Sequence, residues 1–336
     1  MSRKLAYIVE IDDIVEHTNA DSLEIAVVGG WQVIIRKGEF KAEDTAVYFE
    51  IDSWIPTELA PFLSKGKEPK EYNSIKGEKL RTVKLRGELS QGLLLPVSAK
   101  YSLLPIGTDL TKELNIQKWE KDLPTKLAGS TKGNYPSVFP KTDQTRIQNM
   151  NKELQNGFEG FFVTQEKLEG SSMTCYLKAG EFGVCSRNLD LKKDENNSFW
   201  KTALELDIET KMRNYFGDNA CVAVQGELIG EGVQGNIYKL KGLEFHVFDI
   251  YEPNSKGYQY NQIVEKFCSD SNLKMVPILE RKVSLEDWDM KDFLTYAEGK
   301  SKLNPSQERE GVVFKSLKEP NFTFKVISNK YLLNEK

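Results

Sequence analysis

Residues 161–177 have the sequence FFVTQEKLEGSSMTCYL, and this stretch decides how the larger part of the chain folds. Its aromatic and β-branched runs predict a short strand at Phe161–Val163 and a second strand at Met173–Leu177. Lys167 lies between the two strands, two residues before Glu169 and three before Gly170. A lysine in this position is a candidate covalent nucleophile, provided that nearby cations, a metal or burial lower the pKa of its amine. The tetrapeptide alone is a weak signal, because similar strings occur by chance in exposed turns.

Downstream of this stretch, five segments place polar side chains at the ends of predicted strands. They are CSRN at 185–188, QGELIG at 225–230, EFHVFDIY at 244–251, EGVVFK at 310–315 and FTFK at 322–325. Each one alone is explained by an ordinary feature, such as a surface salt bridge, a β-turn, a core strand or a solvated lysine. What points to a function is that all of them occur in one chain, in this order.

The region from Phe158 onward mixes strands and helices, which predicts an α+β domain. One helix is expected at Asn196–Phe216, before Gly217, and another after a capping-box-like start at Ser284–Asp287. Further strands are expected at 220–225, 244–251, 311–314 and 322–326.

The first hundred residues predict a small β-barrel. Strands are expected at 6–11, 22–28, 31–36, 45–51, 79–85 and 92–97, and Gly29-Gly30 indicates a hairpin. Five or six short strands in this length favour an OB-like barrel. From about Pro105 to Asn149 the pattern loosens. We therefore expect an OB-like domain at 1–110, a linker at 111–140 and a second domain at 141–336.

Length and composition fit a two-domain globular protein, with 336 residues of which 39% are hydrophobic and 29% charged. Apolar runs are too short to span a bilayer, and a signal peptide is not expected. The four cysteines lack CxxC spacing and predict reduced thiols in the cytoplasm. Two histidines leave little room for histidine metal sites or Ser-His-Asp chemistry. Because the net charge is −4, any surface that binds nucleic acid must be local.

Taken together, the six segments resemble motifs I, Ia, III, IIIa, IV and V of the covalent nucleotidyltransferases, the polynucleotide ligases and messenger-RNA capping enzymes. GELIGEGVQGNIYKL, followed by FHVFDIY, EGVVFK and FKVISNKYLL, resembles the RNA ligases that carry an N-terminal OB domain. The likeness extends to EHTNADSLEIAVVGGWQVIIRKGEF at 16–40. It implies an α+β protein in which an N-terminal OB-like β-barrel precedes an adenylyltransferase (ATP-grasp-like ligase) domain with antiparallel sheets.

The resemblance also implies roles for the residues that match its motifs. Lys167 would attack the α-phosphorus of ATP and form a lysyl-AMP. Glu166 would accept a hydrogen bond from the adenine amino group, and Phe248 would stack on the purine. Arg187 and Glu227 resemble a pair that contacts the ribose.

The metal and the phosphates would be held by further charged residues. Glu169, Glu227 and Glu310 would bind hydrated Mg²⁺ or Mn²⁺, which stabilises charge on the α-phosphate and keeps the lysine unprotonated. Lys325 would bind the α-phosphate. Related ligases have a second lysine two residues earlier, where this chain has Thr323, so Lys315 or Lys330 is the candidate for a second cation. Arg146 resembles an arginine that orients the leaving pyrophosphate.

The implied reaction has three steps, in which the enzyme is adenylylated, AMP passes to an RNA 5′-phosphate, and a 3′-hydroxyl expels AMP. We expect the substrates to be RNA ends of this kind, including nicks in a duplex, and the activity to serve RNA repair. We expect the protein to be a monomer.

A basic segment at 65–86 is a candidate RNA surface of the N-terminal domain. It carries eight basic residues against three acidic ones; the basic residues are Lys65, Lys67, Lys70, Lys76, Lys79, Arg81, Lys84 and Arg86. With Trp54 and Tyr72 nearby, the segment predicts a groove that follows the phosphate backbone and offers stacking positions. A solvated basic loop explains the same pattern.

Two other functions share part of this sequence pattern. Capping guanylyltransferases use the same lysyl-nucleotide chemistry, but they place the OB domain after the transferase domain. A non-catalytic RNA-binding protein with an OB domain of the tRNA-binding type is the alternative from a different class. Labelling with ATP, labelling with GTP and no labelling distinguish the three.

Overall fold

The structure, a computed structural model, describes residues 3–119, 131–255 and 257–334. The chain divides into two compact units, Met1–Asp122 and Leu123–Lys336. Residues 120–130 of the predicted linker lie outside the described residues. No helix in the described ranges is long and apolar enough to cross a membrane.

The described part of the first unit is built from short strands and one 3-10 helix at Pro61–Ser64. The strands are β1 (Ala6–Glu10), β2 (Asp13–Glu16), β3 (Leu23–Val28), β4 (Trp31–Arg36), β5 (Thr45–Phe49), β6 (Ser53–Pro56), β7 (Lys70–Tyr72), β8 (Ile75–Lys79), β9 (Val83–Leu85), β10 (Glu88–Ser90), β11 (Leu93–Pro96) and β12 (Gln117–Lys118).

These strands form small antiparallel sheets in the orders β1-β5-β11, β2-β3-β4 and β12-β6-β8-β7, and β9 pairs with β10. The hairpin predicted from Gly29-Gly30 is confirmed, because Val28 pairs with Trp31 across the turn. The single strand predicted at 79–85 is wrong. The chain ends β8 at Lys79 and buries Leu80 in the core before β9 begins at Val83.

The second unit is an α+β domain with two sheets among its described residues. Its strands are β13 (Thr131–Asn134), β14 (Thr145–Arg146), β15 (Phe161–Lys167), β16 (Ser171–Lys178), β17 (Glu181–Cys185), β18 (Leu189–Leu191), β19 (Val222–Gly230), β20 (Leu243–Glu252), β21 (Gly257–Tyr258), β22 (Lys274–Met275), β23 (Ile278–Ser284), β24 (Gly311–Ser316) and β25 (Thr323–Ile327). Its helices are α1 (Asn151–Asn156), α2 (Ser198–Glu205), α3 (Ile208–Phe216), α4 (Asn261–Asp270), α5 (Met290–Ala297) and α6 (Asn329–Asn334).

The larger sheet has the order β13-β18-β17-β16-β19-β20-β21, with β22 parallel to β20, and the smaller has the order β14-β25-β24-β15-β23. Each sheet packs helices against an apolar core. Trp200 of α2, Met212 of α3 and Phe267 of α4 belong to the core of the larger sheet. Phe293 of α5 belongs to the core of the smaller sheet, together with Phe314 and other apolar residues.

Three local predictions differ from the structure. The helix predicted at 196–216 is two helices, because Asp207 adopts a left-handed conformation with φ of 49° between them. The capping box lies at Asp289 and Asp292, not at 284–287, so α5 begins at Met290. The described ends of the predicted linker are structured: β12 pairs with β6, and β13 pairs with β18.

Candidate active site

The candidate nucleophile lies at the end of β15, where the smaller sheet brings a carboxylate to it. Lys167 pairs with Gly311 across the β15–β24 ladder, so the residue before Gly311 is adjacent. The Lys167 Nζ atom lies 2.6 Å from Oε1 of Glu310, and both side chains are largely buried. β15 runs without interruption to Lys167, so it is longer than the strand predicted from its apolar residues.

Nearby charges determine the protonation of Lys167. Burial lowers the pKa of this amine, but the charges of Glu310 and Glu227 outweigh burial and raise the pKa above its ordinary value. The positive charge of Arg146 acts in the opposite direction. Lys167 is therefore an ammonium in the arrangement that the structure describes. For nucleophilic attack, positive charge must be added near the two glutamates.

Glu227, on β19 of the larger sheet, is the second carboxylate of this cluster. Burial raises the pKa of Glu227 to about 8, and the negative charge of Glu310 adds to this effect. The cations Lys167, Arg187 and Lys325 lower it. The raised pKa means that the nearby cations do not fully stabilise the ionised form of Glu227. A divalent cation bound beside it would stabilise that form and lower the pKa.

The carboxylates fit Mg²⁺ or Mn²⁺ by their chemistry, since both are hard cations that prefer oxygen ligands. Among the described residues, no three His, Cys, Asp or Glu side chains are already arranged as a metal site. The Lys167 ammonium instead lies against Glu310, at the position where a cation would neutralise it. Glu227 and Glu310 are thus the residues that the structure brings together for a metal.

Glu169 is held in the turn after β15 by a residue that sequence reasoning missed. The backbone N–H of Glu169 donates to the Tyr238 hydroxyl over 2.6 Å. Gly170 follows, and a Cβ atom there would lie 2.4 Å from the carbonyl oxygen of Leu228 and 2.8 Å from Cγ of Glu227. Glycine is therefore required for the turn to approach β19 so closely.

A pocket lies beside Lys167. It is lined by residues of both sheets and of the segment before β14: Thr142, Gln144, Gln165, Glu166, Lys167, Leu168, Glu227, Phe248, Val276 and Val313. Oε2 of Glu166 accepts a hydrogen bond of 2.7 Å from the Lys302 backbone N–H. Oε1 of Glu166 is buried and has no hydrogen-bond partner among the described residues, so it is available to a ligand donor.

Phe248 is presented to the pocket by a β-bulge. Gln225 pairs with Asp249 and the next residue, Gly226, pairs with Val247, so Phe248 is the extra residue of β20. Its carbonyl oxygen accepts a hydrogen bond from the Lys315 ammonium, which also pairs with Asp249 at 2.6 Å. Lys315 and Asp249 are both buried. Lys315 thus contacts the backbone beneath the aromatic ring, and the structure does not bring it to the carboxylate cluster.

The predicted phosphate and ribose contacts meet at one carboxylate that was not predicted. Arg187 donates to both oxygens of Asp143, at 2.6 and 2.5 Å, and Lys325 Nζ lies 3.9 Å from the same carboxylate. Arg146 is buried and pairs with Lys325 in the parallel β14–β25 ladder. Lys330, the other candidate for a second cation, instead pairs with Glu298 at 2.7 Å.

The missed residues have different sequence signals. Asp143 lies three residues before Arg146, near the start of the predicted second domain, and polar residues there give no periodic signal. Tyr238 lies in GELIGEGVQGNIYKL, which carried the resemblance, so proximity to that motif was the available signal. The Lys302 contact uses a backbone N–H, which no residue type reveals.

In the first unit, the basic segment is only partly available to a ligand. Lys79 is buried, pairs with Asp52 at 3.4 Å and lies 4.0 Å from the Trp119 ring centroid. Trp54 is buried and packs against Tyr72, so the structure does not support Trp54 as a stacking position. Arg81, Lys84 and Arg86 are exposed, and the last two lie on or next to the β9–β10 hairpin.

Comparisons with known proteins identify both units. A family model described as an OB-fold domain matches residues 5–97, and the RNA ligase family model matches residues 160–330, just over half of the chain. No curated protein sequence matches the chain significantly. This chain belongs to the RNA ligase family.

Several of the solved structures that match are of an RNA ligase of Naegleria gruberi. A lysine-to-alanine variant solved with ATP and Mn is 38% identical, with a TM-score of 0.92 and 99% of each chain covered. The ligase solved with PPi is 39% identical, with a TM-score of 0.92 and 99% of each chain covered. A glutamate-to-alanine variant of that ligase, solved with AMP and Mn, is 38% identical, with a TM-score of 0.92 and 99% of each chain covered. The OB-fold domain followed by an α+β domain with mostly antiparallel sheets is confirmed.

Proposed function

We propose that this chain is an ATP-dependent RNA ligase that joins a 3′-hydroxyl to a 5′-phosphate through a lysyl-AMP on Lys167 and an RNA adenylate. The observation that carries the proposal is the position of the Lys167 amine. It lies 2.6 Å from Glu310, the charge of Glu227 raises its pKa, and the pocket that it lines also contains Phe248. Family membership supports RNA as the substrate class. The Naegleria gruberi complexes with ATP and Mn, AMP and Mn, and PPi support ATP as the nucleotide and a divalent metal as the cofactor.

In the first step, the Lys167 nitrogen forms a bond to the α-phosphorus of ATP while the bond to pyrophosphate breaks. Lys167 must first lose a proton to solvent, which requires positive charge near the Glu310 carboxylate, since that carboxylate lies 2.6 Å from the amine and raises its pKa. Mg²⁺ or Mn²⁺, held by Glu169, Glu227 and Glu310, would neutralise these carboxylates and the growing charge on the phosphate.

The other side chains of the site would orient the nucleotide. The buried Oε1 of Glu166 accepts the adenine amino group, while the Lys302 N–H holds the other carboxylate oxygen. Phe248 stacks on the purine. Lys325 binds the α-phosphate, Arg187 the ribose, and Arg146 the departing pyrophosphate.

The following two steps transfer the same AMP group. An RNA 5′-phosphate oxygen attacks the lysyl-AMP and releases the amine, and the 3′-hydroxyl then attacks the RNA adenylate and releases AMP. Each step is a displacement at phosphorus, so the same cations and carboxylates serve all three.

The first test of the proposal is retention of label by the protein. The full chain is incubated with Mn²⁺ and either α-labelled ATP or α-labelled GTP, and then resolved by denaturing gel electrophoresis. We expect label from ATP, its loss in Lys167→Ala, and its retention in Lys178→Ala, which alters an exposed lysine at the end of β16. Label from GTP alone would indicate a capping enzyme, and no label would indicate a binding protein.

We further propose that the exposed basic residues next to and within the β9–β10 hairpin hold RNA at a nick, consistent with a role in RNA repair. Arg81, Lys84 and Arg86 are exposed, and the neighbouring Val83 and Leu85 are also partly accessible. The hairpin is fixed by hydrogen bonds, because His17 contacts the Leu85 carbonyl at 3.1 Å. Exposed cations on a fixed hairpin are suited to contact phosphates.

Lys84→Glu tests this surface. If one phosphate contact is lost, the slope of log affinity for a nicked RNA duplex against log salt falls by about 1. Lys112→Glu, an exposed lysine elsewhere in the same unit, is the control and should leave the slope unchanged. An unchanged slope in Lys84→Glu would contradict the proposal.

We also propose that the protein is a monomer of the cytoplasm. The four cysteines are free thiols, of which Cys175, Cys185 and Cys268 are buried, as expected in a reducing compartment. Light scattering during size-exclusion chromatography tests the monomer, for which the expected mass is 38.3 kDa.

A further inference from the structure

Asp143 places a carboxylate on the two cations that the reaction needs. Both of its oxygens accept from Nη2 of Arg187, at 2.6 and 2.5 Å, and one lies 3.9 Å from Lys325 Nζ. Arg187 and Lys325 also lower the pKa of Glu227, so their charge reaches the carboxylate cluster. Asp143 therefore pairs with cations whose charge acts on Glu227, a residue that lines the pocket beside Lys167.

The chain is held on both sides of Asp143, before it by contacts of Pro140 and Thr142 and after it by the pairing of Thr145 with Phe324. The hydroxyls of Thr142 and Ser172 lie 2.7 Å apart, and the Gln225 amide donates to the Pro140 carbonyl over 2.8 Å. Thr142 and Gln144 line the pocket beside Lys167 and Phe248. The position of Asp143 thus follows from anchored neighbours, while its own side chain is about half exposed (52%) and can move.

A carboxylate and a phosphate can compete for binding to Arg187 and Lys325, because both cations bind either anion. A guanidinium presents parallel N–H donors that match the oxygens of either group, and an ammonium is a point charge that binds either. A phosphate that approaches Lys325 would place further negative charge beside Asp143. The two anions cannot both be neutralised fully by the same pair.

We propose that Asp143 determines the affinity of the site for the phosphates of the nucleotide. Its carboxylate occupies Arg187 and Lys325 until the α-phosphate of ATP displaces it, and it reoccupies them when AMP leaves the site. This inference rests on the proposed function, because it requires ATP to bind beside Lys167. It assigns Asp143 as a positioning residue that acts through two cations.

The test compares Asp143→Asn with the unchanged full chain in lysyl-AMP formation with labelled ATP. Removal of the competing charge should lower KM for ATP about threefold and leave the maximum rate unchanged, the size expected for a partly exposed ion pair. Asp143→Glu, which restores the charge, should return KM toward its original value. Glu159→Gln, which breaks an exposed pair with Lys318 at the other end of β15, is the control for net charge.

Equilibrium binding distinguishes competition from a structural effect. In the Lys167→Ala background, which cannot form lysyl-AMP, Asp143→Asn should bind ATP and AMP, which both carry the α-phosphate, about threefold more tightly. Its affinity for adenosine, which has no phosphate, should not change. Calorimetric titration measures all three ligands.

Two failures are distinguishable. If the unchanged chain forms no lysyl-AMP and binds no ATP, the proposed function and this inference both fall. If it does both, but Asp143→Asn has an equal or higher KM for ATP, or alters adenosine binding as much as ATP binding, the inference alone is overturned.

Discussion

Replacement of Lys315 by Met is the perturbation with the largest effect that the structure predicts. The Lys315 ammonium contacts two groups in the buried space beneath the purine pocket, the Phe248 carbonyl and the Asp249 carboxylate. Burial raises the pKa of Asp249, and the charge of Lys315 opposes that rise. Without Lys315, the carboxylate loses its buried partner and the bulge carbonyl loses its donor.

The magnitude follows from the burial of both charges. Removing one member of a buried ion pair costs about 3–5 kcal/mol in the free energy of unfolding, because the other charge stays buried without a partner. Replacing both members removes that penalty. Lys315→Met combined with Asp249→Asn should therefore cost only about 1–3 kcal/mol, the expense of an unsatisfied buried carbonyl at Phe248.

Urea unfolding of the full chain measures these free energies, followed by tryptophan fluorescence. Lys318→Met, which breaks an exposed pair with Glu159, is the control and should not change the unfolding midpoint measurably. A second measurement addresses function: because Lys315 holds the backbone of Phe248, the double variant should raise KM for ATP. Adding Phe248→Ala to it should then raise KM no further than Phe248→Ala alone.

Two outcomes would refute this reasoning. If Lys315→Met costs less than about 1 kcal/mol, the pair is not buried as described. If the double variant is as unstable as the single variant, an unpaired Asp249 is not the source of the cost.

Three further variants test other contacts. Gly170→Ala should destabilise the fold by about 1–3 kcal/mol and slow lysyl-AMP formation, because its Cβ would lie 2.4 Å from the Leu228 carbonyl; Gly133→Ala, with nothing within 4 Å, is the control in thermal unfolding. Tyr238→Phe removes the acceptor of the Glu169 N–H, so we expect half-maximal adenylylation to need more Mn²⁺; an unchanged Mn²⁺ titration would exclude the role. Glu166→Ala should raise KM for ATP about tenfold, since a hydrogen bond to a charged group contributes about 1.5–3 kcal/mol; equal KM values would show that the adenine amino group bonds elsewhere.

The sequence indicated which residues meet at the candidate site better than it indicated how they are arranged. Lys167, Glu227 and Glu310 stand in recognisable strings, and the structure brings them together because each lies at or beside the end of a strand. The contacts of Lys315 with Phe248 and Asp249 could not be predicted, because EGVVFK gives the spacing along β24 but not the residues that face it. Four peptide units separate Lys315 from Gly311, so it lies about 13 Å along the strand from the end beside Lys167.

In the fold, too, the sequence predicted the regular strands but not the break between α2 and α3 or the bulge at Phe248. The period of apolar residues identified β4 and the core strands, since burial follows sequence there. The break between α2 and α3 depends on Asp207 in a left-handed conformation, which aspartate adopts more readily than most residues but often does not adopt, so the residue type alone does not locate the break. The bulge at Phe248 depends on pairing between two distant strands, which no local pattern encodes.

The central claim is that the Lys167 amine carries the nucleotide. After incubation of the full chain with ATP and Mn²⁺, proteolysis and mass spectrometry locate the bound AMP at one side chain. We expect AMP on Lys167, through a phosphorus–nitrogen bond that acid cleaves and alkali does not. AMP on any other residue, or a peptide containing Lys167 that stays unmodified while RNA ends are joined, would contradict it.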